Sequence, residues 1–170
     1  MLTLVIGGAG SGKSAFAEAL CCRLPGKRVY LATMRSRDRE SVARIARHRL
    51  LREGKGFETV ERGLALAGLT LSPDANVLLE DLSNLLANEC FDPKGGGVDA
   101  VRRGLAALIE SCRHLTVVTN EIFLDGDAFA PETLQYMRDL AQLNREIAAR
   151  ADLVAELVCG VPNLLKGGLP

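Results

Sequence analysis

The segment GGAGSGKS, residues 7 to 14, follows the phosphate-loop pattern G-x-x-x-x-G-K-[ST] at every position. Glycines permit the positive φ angles with which successive backbone N–H groups point into one concavity and bind a phosphate. In this pattern the lysine contacts the β- and γ-phosphates, and the serine hydroxyl binds Mg²⁺. The sequence therefore predicts a nucleoside triphosphate site, built from Gly7, Gly8, Ala9, Gly10, Ser11, Gly12, Lys13 and Ser14.

The acidic pair Glu80-Asp81 is the candidate for a metal-binding carboxylate, because it ends the apolar run NVLLE. A Mg²⁺ ion shared between nucleotide phosphates and a phosphate-loop hydroxyl needs a carboxylate at the end of a neighbouring strand. Only one of the two side chains can follow the inward alternation of the strand. The alternative is a pair of acids that simply ends a strand.

Arg44, His48 and Arg52 are spaced i, i+4 and i+8, so they share one face of a predicted helix. A neutral imidazole can attack an α-phosphorus, and flanking guanidiniums lower its pKa and pair with the displaced pyrophosphate. This spacing is also compatible with a solvated basic helix face in which the histidine is incidental. The second histidine, His114, precedes a buried strand, where we expect a structural role.

Apolar runs alternate with helical patterns along the chain, which is typical of a parallel sheet covered on both faces. The predicted fold class is α/β, with a P-loop NTPase-like (RecA-like), mostly parallel sheet and helices on both faces, in a single domain over residues 1–170. The predicted strands are 2–6, 28–32, 57–60, 76–80, 115–119 and 153–158. The predicted helices are 13–24, 38–52, 82–89, 98–112 and 131–151.

Charge and hydropathy narrow the range of partners. The chain has 21 basic and 21 acidic residues, which gives no support to binding of nucleic acid or of a membrane surface. No apolar run approaches the roughly 18 residues of a membrane span, and the amino terminus lacks the pattern of a signal peptide. We therefore expect a cytoplasmic protein.

Taken in order, these motifs resemble the bifunctional adenosylcobinamide kinase/adenosylcobinamide-phosphate guanylyltransferases of cobalamin assembly. The glycine-rich loop is similar to the loop of that family, and RIARHRLLR at 44–52 resembles its R-I-x-x-H-[RK]-x-x-R segment. Further similar segments follow in the same order, namely YLAT at 30–33, TVE at 59–61, LLEDLS at 78–83, VVTNE at 117–121 and GVP at 160–162. The resemblance covers essentially the whole chain and aligns Glu80 with the acid at the strand end.

The resemblance implies a two-step enzyme. An NTP first phosphorylates the aminopropanol hydroxyl of adenosylcobinamide; His48 then takes GMP from GTP and passes it on, giving adenosylcobinamide-GDP. It implies catalytic roles for Lys13, His48 and Glu80, with Ser14 and Glu80 as Mg²⁺ ligands. The further nucleotide-binding residues that it implies are Arg44, Arg49, Arg52 and Glu61. ATP and GTP are then substrates, Mg²⁺ is the cofactor, and the assembly is a homotrimer.

The chain departs from the family pattern in two predicted loops and on one helix. The segment after Arg52 is one residue longer, with Phe57 in place of a tryptophan, and residues 122–131 are three longer and lack the family's glycines. On the last predicted helix, Gln135 and Met137 replace an arginine and a phenylalanine. Such positions near the carboxyl ends of strands are where the corrinoid or second nucleotide would dock.

Two alternatives therefore stay open. One is a diverged member of the family that retains only one of the two activities. The other is a nucleotide-dependent switch without transfer chemistry, in which the loop at residues 92–97 responds to the γ-phosphate. The sequence also leaves open whether the kinase step prefers ATP or GTP.

Overall fold

The computed structural model describes residues 1–35, 39–122 and 129–170, apart from the side chains of Glu40 and Arg44. In this part of the chain the strands form one seven-stranded sheet, in the order β3-β2-β4-β5-β1-β6-β7. They are β1 (Leu2–Gly7), β2 (Arg28–Ala32), β3 (Phe57–Glu61), β4 (Asn76–Glu80), β5 (His114–Asn120), β6 (Leu153–Val158) and β7 (Val161–Lys166). All neighbouring pairs are parallel except β6 and β7.

Helices cover both faces of this sheet. They are α1 (Lys13–Arg23), α2 (Arg39–Arg52), α3 (Leu82–Phe91), α4 (Gly97–Ser111) and α5 (Pro131–Arg150). Neighbouring residues of a strand point to opposite faces, so Val5 packs in a cluster with α1, while Leu4 packs in a second cluster with α3, α4 and α5. The predicted fold class, a mostly parallel sheet with helices on both faces, is confirmed. None of the described helices is long and apolar enough to cross a membrane.

The predicted strands and α-helices lie within about two residues of those in the structure, and one strand was missed. Strand β7 was not predicted, because it is exposed along almost its whole length and contains Pro162. Proline is tolerated on a sheet edge, and an exposed edge strand carries no buried apolar pattern. Cys159 and Gly160 both have positive φ, as the two-residue turn between β6 and β7 requires. The start predicted for α2, Asp38, lies outside the described residues, and the helix is described from Arg39.

The strand order brings several polar side chains to one edge of the sheet. The carboxyl ends of parallel strands point the same way, and Gly7 pairs with Asn120 while Ala32 pairs with both Glu61 and Glu80. Strand β5 lies between β1 and β4, so the phosphate loop and the acidic strand end leave this edge on either side of Asn120.

Candidate active site

The phosphate loop leaves β1 and ends where α1 begins. Gly10 and Gly12 have φ angles of 71° and 91°, a region that favours glycine. Lys13 is buried, and its Nζ donates a hydrogen bond to the carbonyl of Gly8 at 2.9 Å, so the side chain folds back along the loop. Ser11 accepts a backbone hydrogen bond from Gly160 at 2.9 Å. The first backbone N–H groups of α1, with the positive end of its dipole, open onto this loop and suit an anion.

Ser14 and Glu80 meet at the base of the loop. The Ser14 hydroxyl donates to Oε1 of Glu80 at 2.6 Å, while Oε2 of the same carboxyl is buried and has no hydrogen-bond partner among the described residues. Burial, together with the neighbouring charge of Asp81, raises the pKa of Glu80 to about 7. A divalent cation would satisfy the orphaned oxygen and favour the ionised form.

The donor set suits Mg²⁺ in particular. One hydroxyl and one carboxylate converge, and the described residues contain no cluster of three or more His, Cys, Asp or Glu that could hold a metal by itself. Mg²⁺ usually takes one or two protein ligands and completes its shell with substrate phosphates and water. Ser14 and Glu80 therefore fit the position predicted for this ion.

Asp81 is engaged differently from Glu80. Its Oδ1 accepts hydrogen bonds from the backbone N–H of Asn84 at 2.7 Å and from the Ser83 hydroxyl at 2.6 Å, which makes it the N-cap of α3. Its Oδ2 accepts from the side-chain amides of Asn84 and Asn120. Since both oxygens of Asp81 have protein partners, Glu80 is the carboxylate available to a metal.

Helix α2 brings the predicted nucleophile into a cleft shared with this carboxylate. His48 is half-buried and lines the same cleft as Glu80. The other charged residues that line the cleft are Arg49, Arg52, Glu61 and Asp81. The side chain of Arg44, which the sequence grouped with His48, lies outside the described part of the structure.

Arg49 and Glu61, both expected to bind nucleotide, form an ion pair with each other. Their side chains are 59% and 65% exposed. Pairs of this kind contribute only about 0–1 kcal/mol because water screens them. The pair can therefore separate at low cost when a charged ligand enters the cleft.

Arg52 lies in a different environment from Arg49. Its guanidinium carbon lies 3.4 Å from the ring centroid of Tyr30, and its Nη1 donates to the backbone carbonyl of His48 at 2.9 Å. The side chain is buried. The helical spacing correctly places Arg52 near His48, yet its cationic head already contacts an aromatic ring and a carbonyl.

Several polar residues at this edge were not predicted to have a role. Thr33 donates through its hydroxyl to the carbonyls of Glu80 and Asp81, and the side-chain amide of Asn88 donates to the carbonyl of Thr33. Asn120 donates to Ser83 and Asp81. Thr33 follows β2 and Asn120 ends β5; polar residues at the carboxyl ends of buried strands are the signal that could have identified them.

Two of the residues that depart from the family pattern have contacts in the described part of the structure. Phe57 packs edge-on against Tyr30, with ring centroids 6.3 Å apart. Gln135, on α5, donates to Asp139. Of the longer segment 122–131, residues 123–128 lie outside the described part of the structure.

Comparison with known proteins gives the family of the chain. Residues 3–165 match the CobU family model, described as cobinamide kinase / cobinamide phosphate guanyltransferase. The chain is 35% identical to the bifunctional adenosylcobalamin biosynthesis protein CobU of Escherichia coli, over 95% of this chain and 97% of that protein. It is also 35% identical to the bifunctional adenosylcobalamin biosynthesis protein CobP of Pseudomonas aeruginosa, over 98% of each chain.

Among solved structures, the P4 protein from bacteriophage phi6 in complex with ADP superposes with a TM-score of 0.43 at 15% identity. That match covers 95% of this chain and 53% of the other, and is too weak to carry an argument. The family model, by contrast, extends over nearly the whole sequence, and the two bacterial relatives align along almost their entire length. The chain therefore belongs to the cobinamide kinase / cobinamide phosphate guanyltransferase family.

Proposed function

We propose that this protein phosphorylates adenosylcobinamide with an NTP and then transfers GMP from GTP to the product, through a guanylylated His48. The observation that carries the proposal is the cleft lined by both His48 and Glu80, since Glu80 is hydrogen-bonded to Ser14 of the phosphate loop. A nucleophile and a triphosphate-binding loop that share one cleft can serve both transfers. The description of the family names the same pair of activities, and the bacterial relatives are called bifunctional.

In the kinase step, the backbone N–H groups of the loop and the ammonium of Lys13 hold the β- and γ-phosphates. The aminopropanol hydroxyl oxygen bonds to the γ-phosphorus, the bond to the β-phosphate oxygen breaks, and the nucleoside diphosphate leaves while the hydroxyl proton is released. The protein contributes position and charge neutralisation, which dominate catalysis of phosphoryl transfer. Ser14 and Glu80 would hold Mg²⁺, which would supply further neutralisation of the phosphate charge.

In the guanylyl step, a ring nitrogen of neutral His48 forms a bond to the α-phosphorus of GTP, and the bond to the pyrophosphate oxygen breaks. A phosphate oxygen of the phosphorylated corrinoid then attacks the same phosphorus and releases His48. The covalent intermediate divides one displacement between highly charged partners into two. Arg49 and Glu61 are proposed to exchange their mutual ion pair for contacts with the nucleotide.

The direct test is incubation of the protein with Mg²⁺ and GTP labelled at the α-phosphorus, followed by denaturation and peptide mass analysis. We expect one GMP adduct, on His48, that is labile to acid and stable to base. GTP labelled at the γ-phosphorus is the matched control and should leave no label. An unlabelled protein that still binds GTP would contradict the guanylyl half and leave a kinase or a switch.

Replacement of Glu80 tests the metal site. The Glu80→Gln substitution should raise the Mg²⁺ concentration for half-maximal kinase activity by about 10- to 100-fold, because a neutral amide is a poor ligand for this ion. Asp81→Asn is the matched control. Asparagine can still cap α3 through its carbonyl oxygen, although its amide nitrogen cannot accept from Asn84 and Asn120 as Oδ2 does, and the Mg²⁺ requirement of this variant should stay the same. A metal requirement that moves with Asp81 and not with Glu80 would reverse the assignment.

The assembly and location complete the proposal. We propose one domain over residues 1–170, because the sheet takes strands from both ends of the chain. A homotrimer in the cytoplasm is what the family resemblance implies, and the exposed apolar side chains of β7, Val161 and Leu165 among them, offer a surface for subunit contact. Light scattering should give about three times the chain mass of 18.2 kDa; a monomer at every concentration would contradict the trimer.

A further inference from the structure

The described side chains of helix α2 do not form a buried apolar face against the core. Among its described side chains only Arg52 is buried, while Val42, Leu50 and Leu51 are 53%, 70% and 55% exposed. A helix of this length is marginal in isolation and is normally fixed by an apolar face that packs on the core. The contacts of this one buried side chain therefore help to hold α2, and with it His48, on the protein.

Those contacts join the helix to the sheet. The guanidinium stacks 3.4 Å from the centroid of the Tyr30 ring, in β2, and Tyr30 is only 4% exposed. A cation over an aromatic face is held more strongly when both are removed from water. The same guanidinium donates to the carbonyl of His48, so one side chain links the last turn of α2, at the nucleophile, to the core of the protein.

The segment after α2 is also fixed. The backbone N–H of Lys55 donates to the carbonyl of Arg52 at 3.1 Å, and the Lys55 ammonium pairs with the buried carboxylate of Glu18 in α1 at 2.6 Å. Arg28 in turn donates to the carbonyl of Lys55. These contacts connect the carboxyl end of α2 to β2 and α1.

We propose that Arg52 is a positioning residue: its stack on Tyr30 and its hydrogen bond to the carbonyl of His48 hold the nucleophile in the cleft beside Glu80. In this role it is not a ligand of the phosphates, which is the role that its place in the arginine–histidine stripe suggested. The inference rests on the proposed nucleophilic function of His48. Two measurements separate it from that function.

The first measurement is hydrogen exchange of the α2 backbone amides, without any nucleotide. Exchange in Tyr30→Leu and Arg52→Met should be at least about threefold faster than in the wild type, because the anchor is lost. Tyr30→Phe keeps the ring and should exchange at the wild-type rate. Unchanged exchange in Tyr30→Leu and Arg52→Met overturns the anchor, whatever the enzyme does with GTP.

The second measurement is the rate at which α-labelled GTP modifies His48. Tyr30→Leu should label about tenfold more slowly or worse, with an unchanged KM for GTP, because a small misplacement of a nucleophile is costly. Arg52→Lys should be as slow as Arg52→Met, since lysine keeps the charge but cannot stack as a planar group. The Tyr30→Leu/Arg52→Met double variant should be no slower than either single variant, because the two side chains act together.

The outcomes are distinct for the two proposals. If Tyr30→Leu labels at the wild-type rate while Arg52→Met has a raised KM for GTP, Arg52 is a nucleotide ligand and the positioning role is overturned. If Arg52→Lys restores labelling, charge alone suffices and the stacking role is also overturned. A wild type that never labels removes the proposed guanylyl transfer, and with it this role in catalysis, while the exchange data still decide whether the anchor exists.

Discussion

His48→Asn protein is expected to form no GMP adduct and to lose guanylyl transfer by at least about a thousandfold. Asparagine approximates the size of the imidazole but has no nitrogen lone pair able to attack the α-phosphorus. Loss of a covalent nucleophile removes the whole double-displacement route, so the effect far exceeds that of a lost hydrogen bond. The kinase step needs no such nucleophile, and corrinoid phosphorylation should remain measurable in the same preparation.

The matched control is the other histidine. His114 begins β5, at the end of the sheet opposite the phosphate loop, and burial holds its pKa below the ordinary value for histidine. His114→Asn should leave labelling by GTP intact. If His48→Asn abolishes both activities equally, His48 is either structural or required in both steps, and the division of roles proposed above is wrong.

Lys13→Ala should lower NTP-dependent phosphorylation of the corrinoid by about a hundred- to a thousandfold or more. In the loop pattern the lysine ammonium is the positive charge that neutralises the β- and γ-phosphates as the bond between them breaks. Its burial and its hydrogen bond to Gly8 show that the loop already holds the side chain in place. Transfer of label from γ-labelled ATP to adenosylcobinamide measures the loss.

Lys27→Ala is the control for this variant, because Lys27 is an exposed lysine on the loop before β2. Its replacement should leave the rate of corrinoid phosphorylation unchanged. Circular dichroism should show the same helical content in both proteins. Kinase turnover near the wild-type rate in Lys13→Ala would overturn the role assigned to this lysine.

The predictions from sequence succeeded where the signal is local. The phosphate loop is a contiguous pattern, and strands such as β4 are buried on both faces, so their apolar runs are unbroken. Strand β7 was missed for the converse reason, since an exposed edge strand has no such run. The proximity of Ser14 and Glu80 could also be predicted from the sequence, because both residues lie at the carboxyl edge of a parallel sheet.

Contacts between segments that are distant along the chain could not be predicted from the sequence. Helical spacing puts His48 and Arg52 on one face, but it cannot show that the guanidinium turns toward Tyr30, which belongs to another element. The sequence also could not show which of the two acids, Glu80 or Asp81, has an oxygen available to a metal. That distinction depends on Ser83, Asn84 and Asn120, which donate to the oxygens of Asp81, whereas one oxygen of Glu80 has no hydrogen-bond partner in the described part of the chain.

The place of β1 in the sheet has a consequence for the order in which the protein becomes functional. Leu2 pairs with Leu115 in β5, and Thr3 pairs with Leu153 in β6. The first strand thus has no lateral partner until most of the chain has been synthesised, and pairing across such long separations is slow. During translation the phosphate loop leaves the ribosome before β5 and β6, but its strand acquires both neighbours only after β6 has emerged. Nucleotide binding is therefore expected to be among the last properties that the nascent chain gains.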